Sequence, residues 1–369
     1  MNILSSYAND IRMAVKESRE GRSLNFTGHE NFTGHDSRTL KKGAAIGSVG
    51  NYGDDRTLLT LDGIASPVDV SNAVVGEHPD FAYLKGTDQT EKHYIVNVFM
   101  DMKGSTQMND VYDLDTQHYI TNTVQRAAIH LCLAMGGHIQ RLMGDAVFVY
   151  FGGRNITKMD ASRQALTATS LFTYFIKNDI ARIFEEDGVE NISTRTGIDF
   201  GDDHEVLWGT FGVGGCIELT TQSLHTSLAC HCQGNAPKNG IIVGDNVKQM
   251  AELEEGLYET KRLPNGKFDY VYEGRRKGIY YKQHIFDWMI YLKSLPFIGV
   301  TQDGKLYVRS AAEQEQARID RLRKMANAVH SGNAFTNSSG QLSTHPTVVQ
   351  NQPHRFHYGE FVSSKRETI

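Results

Sequence analysis

Cysteine is scarce in this chain, and long apolar runs and an excess of basic charge are missing. Four cysteines occur in 369 residues, Cys132, Cys216, Cys230 and Cys232, and no C-x-x-C pair is among them. Neither a zinc ribbon nor a redox motif is therefore expected. Cys230-His231-Cys232 invites a metal reading, but neighbours one and two apart do not share a helix face, so they do not make a tetrahedral site. No apolar run approaches the roughly 20 residues that cross a bilayer. The start, MNILSSYANDIRMAVKESREGR, lacks a basic stretch followed by an apolar core, so no signal peptide is read there and a cytoplasmic protein is expected. The formal charge of −5 provides no basic footprint for DNA. What is present is ordinary globular composition, 40% apolar and 22% charged, enough for a sizeable core.

Residues 3–20 carry apolar side chains at helical spacing (Ile3, Leu4, Tyr7, Ile11, Val15). A turn-prone segment follows with a short duplication, NFTGH at 25–29 and again at 31–35. From about 93 the order reads strand, helix, hairpin, helix, strands, helix, strand. The helix over 107–135 stops at Gly136-Gly137, and His138–Leu142 and Ala146–Phe151 form the hairpin. Such an order predicts an α+β fold, with a mixed, mainly antiparallel sheet and helices packed on it. The expected organisation is an N-terminal extension (1–92), a catalytic domain (93–285), a C-terminal helical segment (286–330) and a flexible tail (331–369).

The segment VFMDMKGST (98–106) ends an apolar strand on Asp101 and then turns sharply. Asp145 sits in the hairpin turn Met143-Gly144-Asp145. If the first strand and the hairpin lie side by side, the two carboxylates meet at one end of the sheet. There they repel each other unless a cation joins them. Hard oxygen ligands suit Mg²⁺ or Mn²⁺, which bind through a couple of carboxylates plus substrate phosphates. Two such ions form the arrangement used for displacement at phosphorus. Lys103, Gly104, Ser105 and Thr106 follow at the expected entry to the next helix, where backbone amides and the helix dipole favour phosphates.

Together FMDMKGST, GGHIQRLMGDAVFVYF, TRTGIDFGD and WGTFG resemble the class III nucleotidyl cyclase domain over about residues 93–285. The resemblance implies a cyclase-type palm and a head-to-tail homodimer with two shared sites. It implies attack of the ribose 3′-oxygen on the α-phosphorus with two divalent ions, pyrophosphate leaving. Asp101 and Asp145 match the family's metal ligands. Arg141 falls at one base-reading position and Thr220 at the other. Aligning ELTTQSLHTSLACHC to the family's later motif puts Ser227 in place of the transition-state Asn and His231 in place of the transition-state Arg. That departure leaves three possibilities: His231 takes the role, an arginine comes from elsewhere, or the domain is slow or inactive. The basic run Arg275-Arg276-Lys277, with Lys282 beyond it, is a second source of positive charge.

Arginine is donor-only and threonine a weak all-purpose partner, which matches neither purine set and fits pyrimidine acceptors. The pattern is similar to the bacterial pyrimidine cyclases of the Pycsar anti-phage systems. That resemblance implies a cyclic pyrimidine messenger made with Mn²⁺ or Mg²⁺ and read by a separate effector protein. UTP is expected as the substrate, with CTP as the alternative. Two further alternatives are an adenylate cyclase and a degenerate nucleotide-binding module. Retention of both aspartates argues against the module, because an inactive domain has no need of two repelling carboxylates. A diguanylate cyclase is set aside because its acidic Gly-Gly loop is missing.

Overall fold

The computed structural model describes residues 4–20, 73–189, 192–274 and 278–330. The duplication at 25–35, the basic run 275–277 and the segment 331–369 lie outside the described residues. The chain divides into two units, Met1–Gln314 and Glu315–Ile369.

In the first unit, α1 (Ser5–Arg19) is amphipathic as its spacing predicts and buries Tyr7, Ile11 and Val15 in the main core. Fully burying such a side chain stabilises by about 1.5–3 kcal/mol. A 3-10 segment, Pro79–Leu84, precedes β1 (Glu91–Lys92) and β2 (Ile95–Lys103). Then come α2 (Leu114–Ala134), the hairpin β3 (Gly137–Met143) and β4 (Ala146–Phe151), α3 (Lys158–Phe175) and α4 (Ala181–Glu185). The chain continues through β5 (Ser193–Gly201), a second hairpin of β6 (Leu207–Val213) and β7 (Cys216–Gln222), α5 (Leu224–Asn235), β8 (Gly240–Gly244) and α6 (Asp245–Ala251). It finishes with β9 (Tyr258–Thr260), β10 (Tyr270–Gly274), β11 (Ile279–Phe286), α7 (Trp288–Ser294), β12 (Ile298–Val300), β13 (Leu306–Val308) and α8 (Ala311–His330). The segment 286–330, expected to be helical, thus also holds the β12–β13 pair. Beyond Gln314, α8 is a charged helix with Arg318 and Glu315 paired at 2.7 Å.

The central sheet has eight strands in the order β10-β11-β8-β5-β2-β4-β3, with β9 paired to β11. Only β5 and β8 run parallel; the other pairings are antiparallel. This is the mixed, mainly antiparallel α+β layout expected from the order of elements. A smaller sheet, β1-β6-β7, lies outside it.

Strand β2 is apolar almost throughout because it is central and covered on both faces. Val96, Val98, Met100 and Met102 join the core that also holds side chains of α2 and α3. Ile95 packs with Phe81, Tyr150 and Trp208, and Phe99 lies against that cluster. Asp101 belongs to this second face, because side chains alternate along a strand. Helix α5 lies over β5 so closely that a Cβ on Gly197 would stand 2.1 Å from both Ala229 O and Gln233 N. Gly197→Ala should therefore cost about 3 kcal/mol by overpacking. A urea titration that leaves the midpoint unchanged would refute this close approach.

Candidate active site

The antiparallel pairing of β2 with β4 runs from Val96↔Phe151 to Met100↔Val147. Asp101 is the next residue of β2, and Asp145 is in the turn that precedes β4, so the ladder carries both to the same end of the sheet. Gly144 takes φ +61°, which lets the β3–β4 link turn tightly. The two aspartates line one cavity with Met100, Met102, Gln125 and Val147. Burial pushes the Asp145 carboxyl above the ordinary carboxylate range. A hydrogen bond from Ser105 Oγ at 2.5 Å pulls it back, and the charge of Asp101 pushes it up again. Asp101 Oδ2 accepts from Arg195 Nη2 at 2.8 Å and from Gln233 Nε2 at 3.0 Å.

Two neighbouring carboxylates, one of them held back from ionising by burial and then by the charge of the other, are a donor set that a hard divalent cation fits. Among the described residues there is no group of three or more His, Cys, Asp or Glu side chains placed to hold a metal. The protein's share of such a site is two carboxylates, and other ligands would be phosphate or water oxygens.

The residues after Asp101 are arranged differently from the sequence expectation. Gly104 takes φ +93°, the left-handed region that glycine favours. Ser105–Asp110 is a 3-10 helix, and the long helix begins only at Leu114, capped by Asp113 accepting from Thr116 N at 2.8 Å. Lys103, Ser105 and Thr106 are therefore not at the N-terminus of α2, and its dipole does not act on them. The cause is burial: the extra turn folds Met108 and Tyr112 into the core before the helix can start. Ser105 spends its hydroxyl on Asp145, while Lys103 and Thr106 are exposed.

Helix α5 carries Ser227 and His231, both exposed and four residues apart, hence on one face. Gln233, which reaches Asp101, lies about 200° around the helix from His231. Within one chain, then, His231 points away from the aspartate pair. The inner face of α5 carries His225, buried between two carboxylates, with Nδ1 2.9 Å from Asp199 Oδ2 and Nε2 3.2 Å from Glu205 Oε2. Tyr281 donates to Asp199 at 2.7 Å. Burial lowers the pKa of His225, but Asp199 and then Glu205 more than offset this and raise it to about 10. Burial also lifts the carboxyl of Asp199, with His225 pulling against that.

Further along the sheet, Arg141 of β3 forms an ion pair with Glu218 of β7. Thr220, two residues along β7, lies 3.1 Å from the Tyr150 hydroxyl. Arg141 is thus brought to the strand that carries Thr220.

No protein-family model matches the chain. A cytidylate cyclase of Staphylococcus aureus is 36% identical over 228 residues, which are 61% of this chain and 53% of that protein. A cytidylate cyclase of Escherichia coli is 34% identical over 230 residues, 60% of this chain and 50% of that protein. The chain is thus similar in sequence to curated cytidylate cyclases. It spans about half the length of the curated relatives it matches. Among solved structures, the adenylyl cyclase CyaB from P. aeruginosa aligns with TM-score 0.45 and 16% identity, over 54% of this chain and 95% of that one. The guanylyl cyclase Cya2 aligns with TM-score 0.42 and 16% identity, over 54% of this chain and 92% of that one.

Sequence reasoning missed three residues in contact with the candidate site residues: Arg195, Gln233 and Glu218. Arg195 stood inside the TRTGIDFGD block as its only cation, which is the one readable signal. Gln233 and Glu218 carried none, because their partners lie 132 and 77 positions away. No helix among the described residues is long and apolar enough to cross a membrane.

Proposed function

We propose that this chain is a pyrimidine nucleotide cyclase that converts a pyrimidine nucleoside triphosphate to its 3′,5′-cyclic monophosphate and pyrophosphate. The observation that carries the reading is the meeting of Asp101 and Asp145 in one cavity, in a chain akin to cytidylate cyclases. The 3′-oxygen forms a bond to the α-phosphorus, the bond to the bridging oxygen breaks, and the hydroxyl proton is released. Asp101 and Asp145 would hold Mg²⁺ or Mn²⁺, which when bound would ease loss of that proton and neutralise the triphosphate. Arg195 and Gln233 fix Asp101 on one oxygen and leave the other for binding. Lys103, Gly104, Ser105 and Thr106 flank the triphosphate position, Arg141 and Thr220 read the base, and Ser227 and His231 act on the transition state. Because His231 faces away from the aspartates of its own chain, a head-to-tail pair of chains completes each site.

The sequence expectation favoured UTP, whereas the relatives that match are named cytidylate cyclases, and we take CTP as the first substrate to test with UTP as the second. In the same reading the cyclic product is a messenger for a separate effector in anti-phage defence. Incubation with Mn²⁺ and each of ATP, GTP, CTP and UTP, with products identified by mass spectrometry, should yield a cyclic pyrimidine nucleotide. Cyclic AMP or cyclic GMP as the main product would overturn the base assignment.

A further inference from the structure

We infer that Glu218 is a base-reading residue, and that with Arg141 it forms a composite edge selecting cytosine over uracil. The inference rests on the cyclase reading above and deepens it. Strand β3 carries a bulge, since Ile139 pairs with Val149 and Arg141 with Phe148, leaving Gln140 without a place in the register. A bulge turns consecutive side chains towards the same side. Here Gln140 and Arg141 both reach Glu218, which alternation along a regular strand would forbid. Gln140 Nε2 donates to Glu218 Oε1 and to Leu219 O, each at 3.0 Å. Its own Oε1 is buried and meets no donor among the described residues. The amide is thus committed to fixing the carboxylate, at the expense of its own acceptor.

Glu218 remains a third exposed and Arg141 half exposed, so both keep atoms open to a ligand. The guanidinium offers adjacent N–H donors in a fixed plane, and the carboxylate beside it is an acceptor only. The edge therefore reads donor, donor, acceptor. Cytosine presents the complement: O2 and N3 accept, and the 4-amino group donates. Uracil presents acceptor, donor, acceptor, which would set its N3–H against the guanidinium and its O4 against the carboxylate. Adenine satisfies one donor and the acceptor and leaves the other donor facing a C–H. Thr220, two residues on and on the same face of β7, flanks this edge.

The test is a competition between CTP and UTP at equal concentration, with the ratio of cyclic products read by mass spectrometry. That ratio does not depend on how much of a variant is folded. The wild-type chain should favour CTP, and Glu218→Gln should lower the CTP to UTP preference by about tenfold to a hundredfold. A CTP analogue lacking the 4-amino group should be disfavoured by a similar factor in the wild type and not in Glu218→Gln. An unchanged ratio in the variant, or a wild-type preference for UTP, would overturn the inference while leaving the cyclase reading intact. If no triphosphate is cyclised, the cyclase reading fails instead. Calorimetric affinities for CTP, UTP and the analogue then apply the same criterion to Glu218.

Discussion

Asp145→Asn should reduce cyclic nucleotide formation by about a thousandfold or more while leaving thermal stability unchanged or slightly raised. The two halves of this expectation have separate causes. The activity falls because an amide is a far poorer ligand for a hard cation than a carboxylate. Stability holds because burial and the charge of Asp101 already disfavour the ionised form of Asp145 in the folded chain. A neutral, isosteric group still accepts the hydrogen bond from Ser105. Wild-type turnover in this variant would remove Asp145 from the metal role. A second arm tests the shared site. Mixing Asp145→Asn chains with His231→Ala chains should recover up to about a quarter of wild-type activity, since half the pairs are hybrids and each has one intact site. If both variants are inactive alone and nothing returns on mixing, the head-to-tail arrangement or the role of His231 is wrong.

His225→Gln should cost about 3–5 kcal/mol of stability, because it leaves the buried carboxylate of Asp199 without its charged partner. The effect depends on pH in a definite sense. The folded pKa of His225 is raised to about 10, above the ordinary value of 6.5. Its contribution is therefore complete below about pH 6.5 and is lost as pH rises through about 10. Urea denaturation at pH 6, 8 and 10 should show the wild type weakening towards alkaline pH, with that part of the slope missing in His225→Gln. Adding Asp199→Asn should recover much of the loss, because the unpaired charge is then gone. A loss that is equal at all three pH values, with no recovery in the double variant, would mean that His225 acts by packing alone. The same pair anchors the helix that carries Ser227 and His231, so its loss should also lower turnover.

The parts of the fold that were readable in advance are those governed by local rules. The β3–β4 hairpin announced itself through Gly136-Gly137, two short runs and the Met143-Gly144-Asp145 turn between them. Helix α5 and strand β8 are the helix and strand that close the order read from the sequence. The place where local reading failed is the stretch after Gly104. There a 3-10 turn and a break at Asp113 delay α2, because Met108 and Tyr112 are drawn into the core. Tertiary burial outweighed the weak helical preference of those few residues.

The sequence by itself determined which carboxylates could act together. Asp101 ends an apolar strand run and Asp145 fills a tight turn, and both are consequences of short-range backbone chemistry. Only the tertiary structure decided what surrounds them. Arg195 meets Asp101 across 94 positions, Gln233 meets it across 132, and Glu218 meets Arg141 across 77. The direction in which His231 faces was decided by the same packing, through the seating of α5 on Gly197. No periodicity encodes such meetings, because they depend on strand register, a bulge in β3 and the close approach of one helix to a sheet, which are fixed only when the whole core assembles.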